Sequence, residues 1–328
     1  STMFFSSSTW RFKKLIRLFT FECNCRVFGS YQSKNFVKMF QTVEKGSLYT
    51  PNYRIYYKNE SGPISPFHDI PLYADSSKKL YNMVVEIPRW TNAKMEIATK
   101  DPLNPIKQDV KKDKVRFVAN CFPHHGYIWN YGAIPQTWEN PQHLDAATGC
   151  KGDNDPIDIL EIGYRVAKRG EVLSVKILGC VALIDEGETD WKILAIDSKD
   201  PIASQVNDIQ DIEKFFPGLL KATIEWFKIY KIPDGKPENQ FAFNGEAKDR
   251  DFALNIVDEV HNFWKALIQN EADGGDLSKS NLTVEDSPFK ITTAEANEII
   301  SQAPEVGPAN ALDPVVVDKW HFVQLQKD

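Results

Sequence analysis

The sequence has few cysteines, and their spacing suits neither disulfides nor a zinc site. It contains five, an odd number, and no two of them form a C-x-x-C pair. Disulfide frameworks and zinc sites both depend on regularly paired cysteines. The pattern therefore argues against both and favours a reducing compartment. The cysteines are Cys23, Cys25, Cys121, Cys150 and Cys180.

Long apolar runs and a general excess of basic charge are also missing. No run of eighteen apolar residues occurs, so the sequence predicts no membrane span. The formal net charge is −6, and residues 1–43 hold seven basic side chains and one acidic, which leaves −12 for the remainder. A chain whose remainder is this acidic is a poor general binder of nucleic acid, because nucleic-acid phosphates are also negatively charged. At 328 residues, with 42% hydrophobic and 26% charged side chains, the chain is long enough for a sizeable globular core.

The first 38 residues differ from the rest in composition, being rich in Ser, Phe, Lys and Arg. Phe12, Leu15, Ile16 and Phe19 fall on one helical face, with most basic side chains off it. A basic, amphipathic, acid-poor segment is typical of a mitochondrial transit peptide. A disordered or untranslated leader is the alternative, with Met39 as an internal start. We expect a leader over 1–38 and one domain over 39–328.

The stretch GDNDPIDILEIG, residues 152–163, is the most informative part of the sequence. It places Asp153, Asp155 and Asp158 directly before an apolar run typical of a strand covered on both faces. Pro156 supplies the bend that brings the three carboxylates together. Clustered carboxylates repel one another unless a cation lies among them, and oxygen ligands suit Mg²⁺, Mn²⁺ or Ca²⁺. A simple Asx turn is the alternative, whereas the spacing excludes an EF-hand.

The remaining pattern predicts a β-rich first half followed by helices. Residues 124–135 are predicted as a loop, and residues 186–189 as the link of a hairpin. Thr292 and Glu295 have the spacing of a capping box. The tail, 303–328, is expected to be extended. Strands are predicted at 53–59, 81–90, from Lys94 onward, 115–122, 171–185 and 190–197, and helices at 207–216, 217–231 and 248–269.

Acidic and basic side chains collect at the predicted strand ends. Such a mixture suits a small, highly charged anion bridged to several metal ions, because Lys and Arg bind phosphate oxygens while metals neutralise the rest. Each residue alone has an ordinary structural explanation, so the hypothesis depends on their number. The acids are Glu86, Glu96, Asp153, Asp155, Asp158, Asp185 and Asp190; the bases and hydroxyls are Lys94, Arg116, Lys192, Lys231, Tyr127, Tyr131 and Tyr230.

Four segments together resemble the soluble family I inorganic pyrophosphatases of the animal and fungal type. They are VEIPRWTNAK, GDNDPID, DEGETDWK and IYKIPDGKPENQFAF, and the resemblance runs from Lys45 to Lys265 and on to Trp320. It implies a mainly β fold with flanking helices (α+β), built on a five-stranded closed β-barrel of OB type. It also implies a cytoplasmic homodimer that hydrolyses inorganic diphosphate to two orthophosphates with several Mg²⁺ ions per active site, by direct attack of water.

The resemblance assigns a role to each candidate residue. Asp155 matches the carboxylate that holds and deprotonates the attacking water, and Glu86 and Tyr127 match positions that orient water or other side chains. Lys94, Arg116 and Tyr127 are expected to assist Asp155 in catalysis. The expected metal ligands are Asp153, Asp155, Asp158, Asp185, Asp190 and Glu96. The expected phosphate-binding groups are Lys94, Arg116, Tyr131, Lys192, Tyr230 and Lys231.

Two other functions remain open at this stage. OB barrels commonly bind single-stranded nucleic acid or oligosaccharide, but such a groove should be basic with interleaved aromatic residues. The groove candidates here are mainly carboxylates. A metal-dependent phosphatase acting on larger phosphoesters is the second alternative, and pocket size would distinguish it.

Overall fold

The computed structural model describes residues 39–324. The predicted leader, 1–38, and the last four residues of the tail, 325–328, lie outside the described residues. The strands are β1 Gln41–Lys45, β2 Arg54–Asn59, β3 Gly62–Ile64, β4 Tyr73–Asp75, β5 Leu80–Ile87, β6 Met95–Ile97, β7 Ile106–Gln108, β8 Val110–Lys111, β9 Lys114–Val115, β10 Asn120–Cys121, β11 Asn130–Ala133, β12 Lys151–Gly152, β13 Asp158–Glu161, β14 Val172–Asp185, β15 Glu188–Asp197, β16 Gln240–Phe241 and β17 Trp320–His321. The helices are α1 Ile209–Phe215, α2 Leu219–Ile229, α3 Arg250–Ile268, α4 Thr293–Gln302 and α5 Pro314–Val317.

Five strands of the largest sheet, β5, β11, β13, β15 and β14, pair in that succession, and β14 pairs again with β5. β5 pairs with β11, β11 with β13, β15 with β14, and β14 with β5, all antiparallel. The one parallel contact in this series joins β13 to β15. The expectation of a mainly β fold with flanking helices is therefore confirmed.

Alternating residues of these strands bury apolar side chains on both faces. On β13 and β15, Ile159 and Ile193 belong to an apolar cluster that includes one face of α3, whereas Leu160 and Leu194 belong to the other main cluster. All four are buried. This two-sided burial explains why the sequence of β13 is almost continuously apolar, as a strand covered on both faces requires.

A smaller sheet and the tail flank this assembly. Strands β1, β2, β7 and β6 pair in that order, with β3 added to β2. The capping box is confirmed, because Thr292 Oγ1 accepts the Glu295 amide while Glu295 accepts the Thr292 amide, and α4 begins there. Late in the tail, β17 pairs in parallel with β10.

Several local predictions are wrong in detail. Residues 124–135 are not all loop, because β11 lies within them and joins the main sheet. Residues 115–122 are not one strand, since β9 ends at Val115 and β10 begins at Asn120. The hairpin link is two residues, Glu186 and Gly187, both at positive φ, as tight hairpin turns require. The tail is not simply extended, because it includes α5.

None of the helices within residues 39–324 combines the length and the apolar character needed to cross a bilayer.

Candidate active site

An open cavity of about 300 Å³ lies where the ends of β5, β6, β11, β13, β14 and β15 converge. All fourteen side chains predicted from the sequence line it. They come from segments as distant as residue 86 and residue 231, so the fold, not the local sequence, brings them together. They are Glu86, Lys94, Glu96, Arg116, Tyr127, Tyr131, Asp153, Asp155, Asp158, Asp185, Asp190, Lys192, Tyr230 and Lys231.

The acidic loop, which carries Asp153 and Asp155 directly before β13, is held by its own backbone and by the backbone of Glu139. The amide of Asp155 donates to Asp153 Oδ1 at 3.0 Å, which fixes the turn. The amide of Glu139 donates to the Asp155 carbonyl, and the Asn154 amide donates to the Glu139 carbonyl, both at 2.9 Å. Gly152 is required for this contact, because a Cβ there would lie 2.5 Å from the Glu139 backbone. The loop is therefore a fixed turn that presents its carboxylates to the cavity.

The parallel register of β13 and β15 places a lysine among these carboxylates. Asp158 is opposite Lys192 in that pairing. Lys192 Nζ bonds to Asp158 Oδ2 and, at 2.5 Å, to Asp190 Oδ1, and its residue is only 2% exposed. Burial opposes the charged form, but the two aspartates hold the pKa of Lys192 well above its ordinary value. Lys192 is therefore a fixed cation at the floor of the cavity.

The other three cations are each paired with a carboxylate. Lys94 Nζ lies 2.6 Å from Glu96 Oε2, and Lys231 Nζ lies 2.6 Å from Asp185 Oδ2. Arg116 Nη1 donates to Asp109 Oδ2 at 3.1 Å. These pairs hold the ammonium and guanidinium groups in place and leave further donors free to meet an anion.

The tyrosines and Glu86 fill the space between the charged groups. Tyr131 donates its hydroxyl to Asp158, and the Tyr127 ring packs edge-on against it with centroids 5.1 Å apart. Burial raises the pKa of Tyr127 to about 12, so its hydroxyl stays protonated at neutral pH and can donate a hydrogen bond. Glu86 Oε1 accepts the Ile97 amide at 2.6 Å, and burial together with Asp158 raises its pKa well above the ordinary value.

The cavity holds more carboxylates than the chain neutralises. Removal from water raises the pKa of Asp155 to about 7, with Glu96 adding to the effect, although the side chain stays accessible from the cavity. Burial likewise raises the pKa of Asp190 to about 7, against the opposing influence of Lys192. Nine carboxylates line the cavity beside four cations, which leaves a formal excess of five negative charges. Oxygen donors at this density fit hard divalent cations.

Four acidic residues around the site escaped the sequence reasoning. Glu186 and Glu188 line the cavity beside the hairpin turn, and their place in DEGETD, between two selected aspartates, could have revealed them. Asp109 pairs with Arg116 and lies 3.7 Å from Lys94. Glu139 lies next to Asp153 and Asp190 in a group that could hold a metal ion. Neither Asp109 nor Glu139 carries a local sequence signal.

Comparison with known proteins agrees with this geometry. The sequence profile described as inorganic pyrophosphatase matches residues 83–265. The inorganic pyrophosphatase of Drosophila melanogaster is 63% identical over 289 residues, covering 88% of this chain and 85% of that protein. The inorganic pyrophosphatase from Schistosoma japonicum superposes with a TM-score of 0.82 at 45% identity, covering 86% of this chain and all of that one.

A second solved structure, an N-terminally truncated vacuolar soluble pyrophosphatase from Trypanosoma cruzi, gives a TM-score of 0.65 at 44% identity. It covers 75% of this chain and 99% of that chain. The profile spans more than half of the sequence, and the fly protein is 63% identical over 88% of it. This chain therefore belongs to the inorganic pyrophosphatase family.

Proposed function

We propose that this protein hydrolyses inorganic diphosphate to two orthophosphates, using Mg²⁺ and an attacking water. The observation that carries the proposal is the charge imbalance of the cavity. Four cationic side chains, suited to bind phosphate oxygens, and nine carboxylates line a cavity of about 300 Å³. A diphosphate anion would be repelled from such a site unless divalent cations first neutralised the acids. The Trypanosoma cruzi relative was solved in complex with PPi, which supports the same substrate here.

The donor set fits divalent metal ions. Asp153, Asp158, Asp190, Asp185 and Glu96 all line the cavity. Three of the lysines already bond to carboxylates of this set, so the acids are placed to bind positive charge. We assign Asp153, Asp155, Asp158, Asp185, Asp190 and Glu96 as ligands. Mg²⁺ bound there would neutralise phosphate charge and lower the pKa of a bound water.

We assign substrate binding and proton transfer to individual side chains of the cavity. Lys94, Arg116, Tyr131, Lys192, Tyr230 and Lys231 bind phosphate oxygens. Asp155 accepts the proton of the attacking water, because its carboxylate is accessible from the cavity and a positioned carboxylate can act as a general base. Tyr127 and Glu86 orient the groups around it. Arg116 and Lys94 stabilise the negative charge on the phosphate being attacked.

The dimensions of the cavity favour a small substrate over larger phosphoesters. Phosphate release should be measured from diphosphate, ATP and nitrophenyl phosphate, each with Mg²⁺ and with chelator. We expect release from diphosphate with Mg²⁺, little from the other two substrates, and none with chelator. Cleavage of ATP at a comparable rate would refute the substrate assignment in favour of a broader phosphatase.

We further propose that the five strands paired in succession form the closed OB-type barrel and that the protein is a homodimer. Exposed aromatic side chains near β10 and β17 offer an apolar face for a second copy. Phe122, Trp320 and Phe322 are 55%, 40% and 78% exposed, and the Phe122 ring contacts the rings of Trp320 and Phe322. Light scattering on Trp320→Ala should then report a monomer where the parent is a dimer.

The domain and location proposals concern the leader. We propose that residues 39–328 form the catalytic domain and that the protein acts in the cytoplasm. Import into mitochondria is the alternative, through the leader. A fluorescent reporter fused to residues 3–38 would separate the two locations.

A further inference from the structure

Glu139 is a buried acid directly behind the catalytic cavity, in a position that nothing in the motif suggests. The backbone of Glu139 holds the acidic loop through two hydrogen bonds. The residue is 3% exposed, and it does not line the main cavity. One oxygen from each of Glu139, Asp153 and Asp190 lies within 4.8 Å of the others.

Each of these three carboxylates has one oxygen occupied by the chain. Glu139 Oε1 accepts the Trp191 amide at 3.0 Å, and Asp153 Oδ1 accepts the Asp155 amide at 3.0 Å. Asp190 Oδ1 accepts from Lys192 at 2.5 Å. Among the described residues, Glu139 Oε2 is fully buried and has no hydrogen-bond partner. A buried carboxylate oxygen without a partner is costly, so the folded protein needs a positive or donating group at this point.

The spacing of the three carboxylates matches the ligand shell of one divalent cation. Mg²⁺ holds oxygen ligands at about 2.1 Å, so two ligands on opposite sides of the ion are about 4.2 Å apart, and Ca²⁺ allows about 5 Å. A group of oxygens within 4.8 Å closes around such an ion with small side-chain movements. Lys192 does not take this role for Glu139, because its three ammonium donors already meet Asp158, Asp190 and the Tyr131 hydroxyl.

We propose that Glu139 is a further ligand of a divalent cation that it shares with Asp153 and Asp190. The ion is thereby held from behind the cavity as well as from its floor. Because Glu139 also holds the acidic loop through its backbone, the same residue fixes both the loop and the ion. This inference rests on the divalent-cation dependence proposed above and adds one residue to its ligand set.

The main alternative is that Glu139 Oε2 meets a hydrogen-bond donor instead of a metal. Glu139 also lines a second, small cavity of about 20 Å³ beside Trp191 and Val260, which has room for about one water molecule. A water there, or a proton shared with Asp190, would satisfy the oxygen without a cation. Under that alternative a neutral amide should serve as well as a carboxylate.

The test is the affinity for Mn²⁺ in the absence of substrate, measured on the full chain from the EPR signal of the free ion. Glu139→Gln preserves the size and can still accept the Trp191 amide, but it carries no charge. We expect the tightest Mn²⁺ site to weaken by about tenfold or more. The matched control is Glu259→Gln, because Glu259 lines the same small cavity but is exposed and pairs with His143 at 3.5 Å. That variant should keep the parental affinity.

Parental Mn²⁺ affinity in a folded Glu139→Gln variant would overturn the inference and identify Oε2 as the partner of a donor. Thermal melting shows whether each variant is folded. If Glu139→Gln does not fold, Glu139→Asp is measured instead, because it keeps the charge but withdraws the carboxylate by one methylene. Unchanged Mn²⁺ affinity in Glu139→Asp would equally overturn the inference. A parent that binds Mn²⁺ and hydrolyses diphosphate leaves the proposed function intact whichever way the variants behave. A parent that binds no Mn²⁺ overturns both.

Discussion

Lys192→Met should destabilise the metal-free protein strongly and the Mg²⁺-bound protein much less. Lys192 is 2% exposed, and its ammonium bonds to Asp158 and Asp190 beneath the cavity. Methionine keeps an unbranched apolar side chain of similar length but removes the ammonium, which also lies 5.5 and 5.4 Å from the ring centroids of Tyr131 and Phe227. It leaves the two aspartates without their cation.

The magnitude follows from the burial of the pair. Removing one partner of a buried ion pair typically costs about 3–5 kcal/mol, because the remaining charge is left uncompensated. For a chain of this size, 1 kcal/mol shifts the melting temperature by about 2 °C. We therefore expect a fall of roughly 6–10 °C in chelator. With saturating Mg²⁺ the aspartates regain a positive partner, and we expect less than half of that fall.

The assay is thermal unfolding of parent and variant, each in chelator and in saturating Mg²⁺. Lys221→Met is the control, since Lys221 is exposed on α2 and lysine and methionine have similar helix propensities. A variant that melts within about 2 °C of the parent in chelator would show that the aspartates do not depend on Lys192. An equal loss in both conditions would show that bound cations do not reach Asp158 and Asp190.

Three further predictions follow from the site and the domain boundary. Asp155→Asn should lower turnover by about 10²–10⁴-fold at saturating Mg²⁺ with little change in melting temperature, because a positioned base is lost; turnover within a few-fold of the parent would contradict its role. Metal-free protein should lose stability as pH rises from about 4 to 7. The pKa of Asp155 and that of Asp190 are raised to about 7, so over this interval the folded protein binds more protons than the unfolded chain does. A melting temperature in chelator that rises across this interval would contradict the sign. Deleting residues 1–38 should leave melting temperature and diphosphate hydrolysis intact, and an insoluble or inactive product would show that the leader is part of the fold.

The sequence was most informative where one element carries its own pattern. The continuous apolar run after Asp158 predicts β13 because both faces of that strand are buried, and α3 is predicted because its apolar residues recur with helical spacing. Recognition of the site depended on several charged motifs matching one family, and all of its residues line one cavity. Their individual roles remain predictions until the variants are measured.

The errors arise where tertiary contacts decide the local conformation. β11 is only four residues long and contains Gly132, which weakens any strand pattern, yet a Cβ there would lie 1.9 Å from the Val84 carbonyl oxygen. The close approach of β5 thus requires the glycine that hides the strand from a sequence pattern. Residues 115–122 have strand propensity, but Arg116 and Val118 bond to the irregular segment 92–94 instead of a regular ladder.

Glu139 and Asp109 show a different reason why a site exceeds its motif. Both meet residues outside their own element: Glu139 approaches Asp190, 51 positions later, and Asp109 pairs with Arg116 and lies 3.7 Å from Lys94. A motif records residues whose spacing is fixed within one element, whereas these acids are positioned by the pairing of separate elements. Their charge matters only after folding has brought it beside a carboxylate cluster or a pair of cations. A site built on balanced charge therefore has to be completed from the structure, by finding the carboxylate oxygens that the chain itself leaves without a partner.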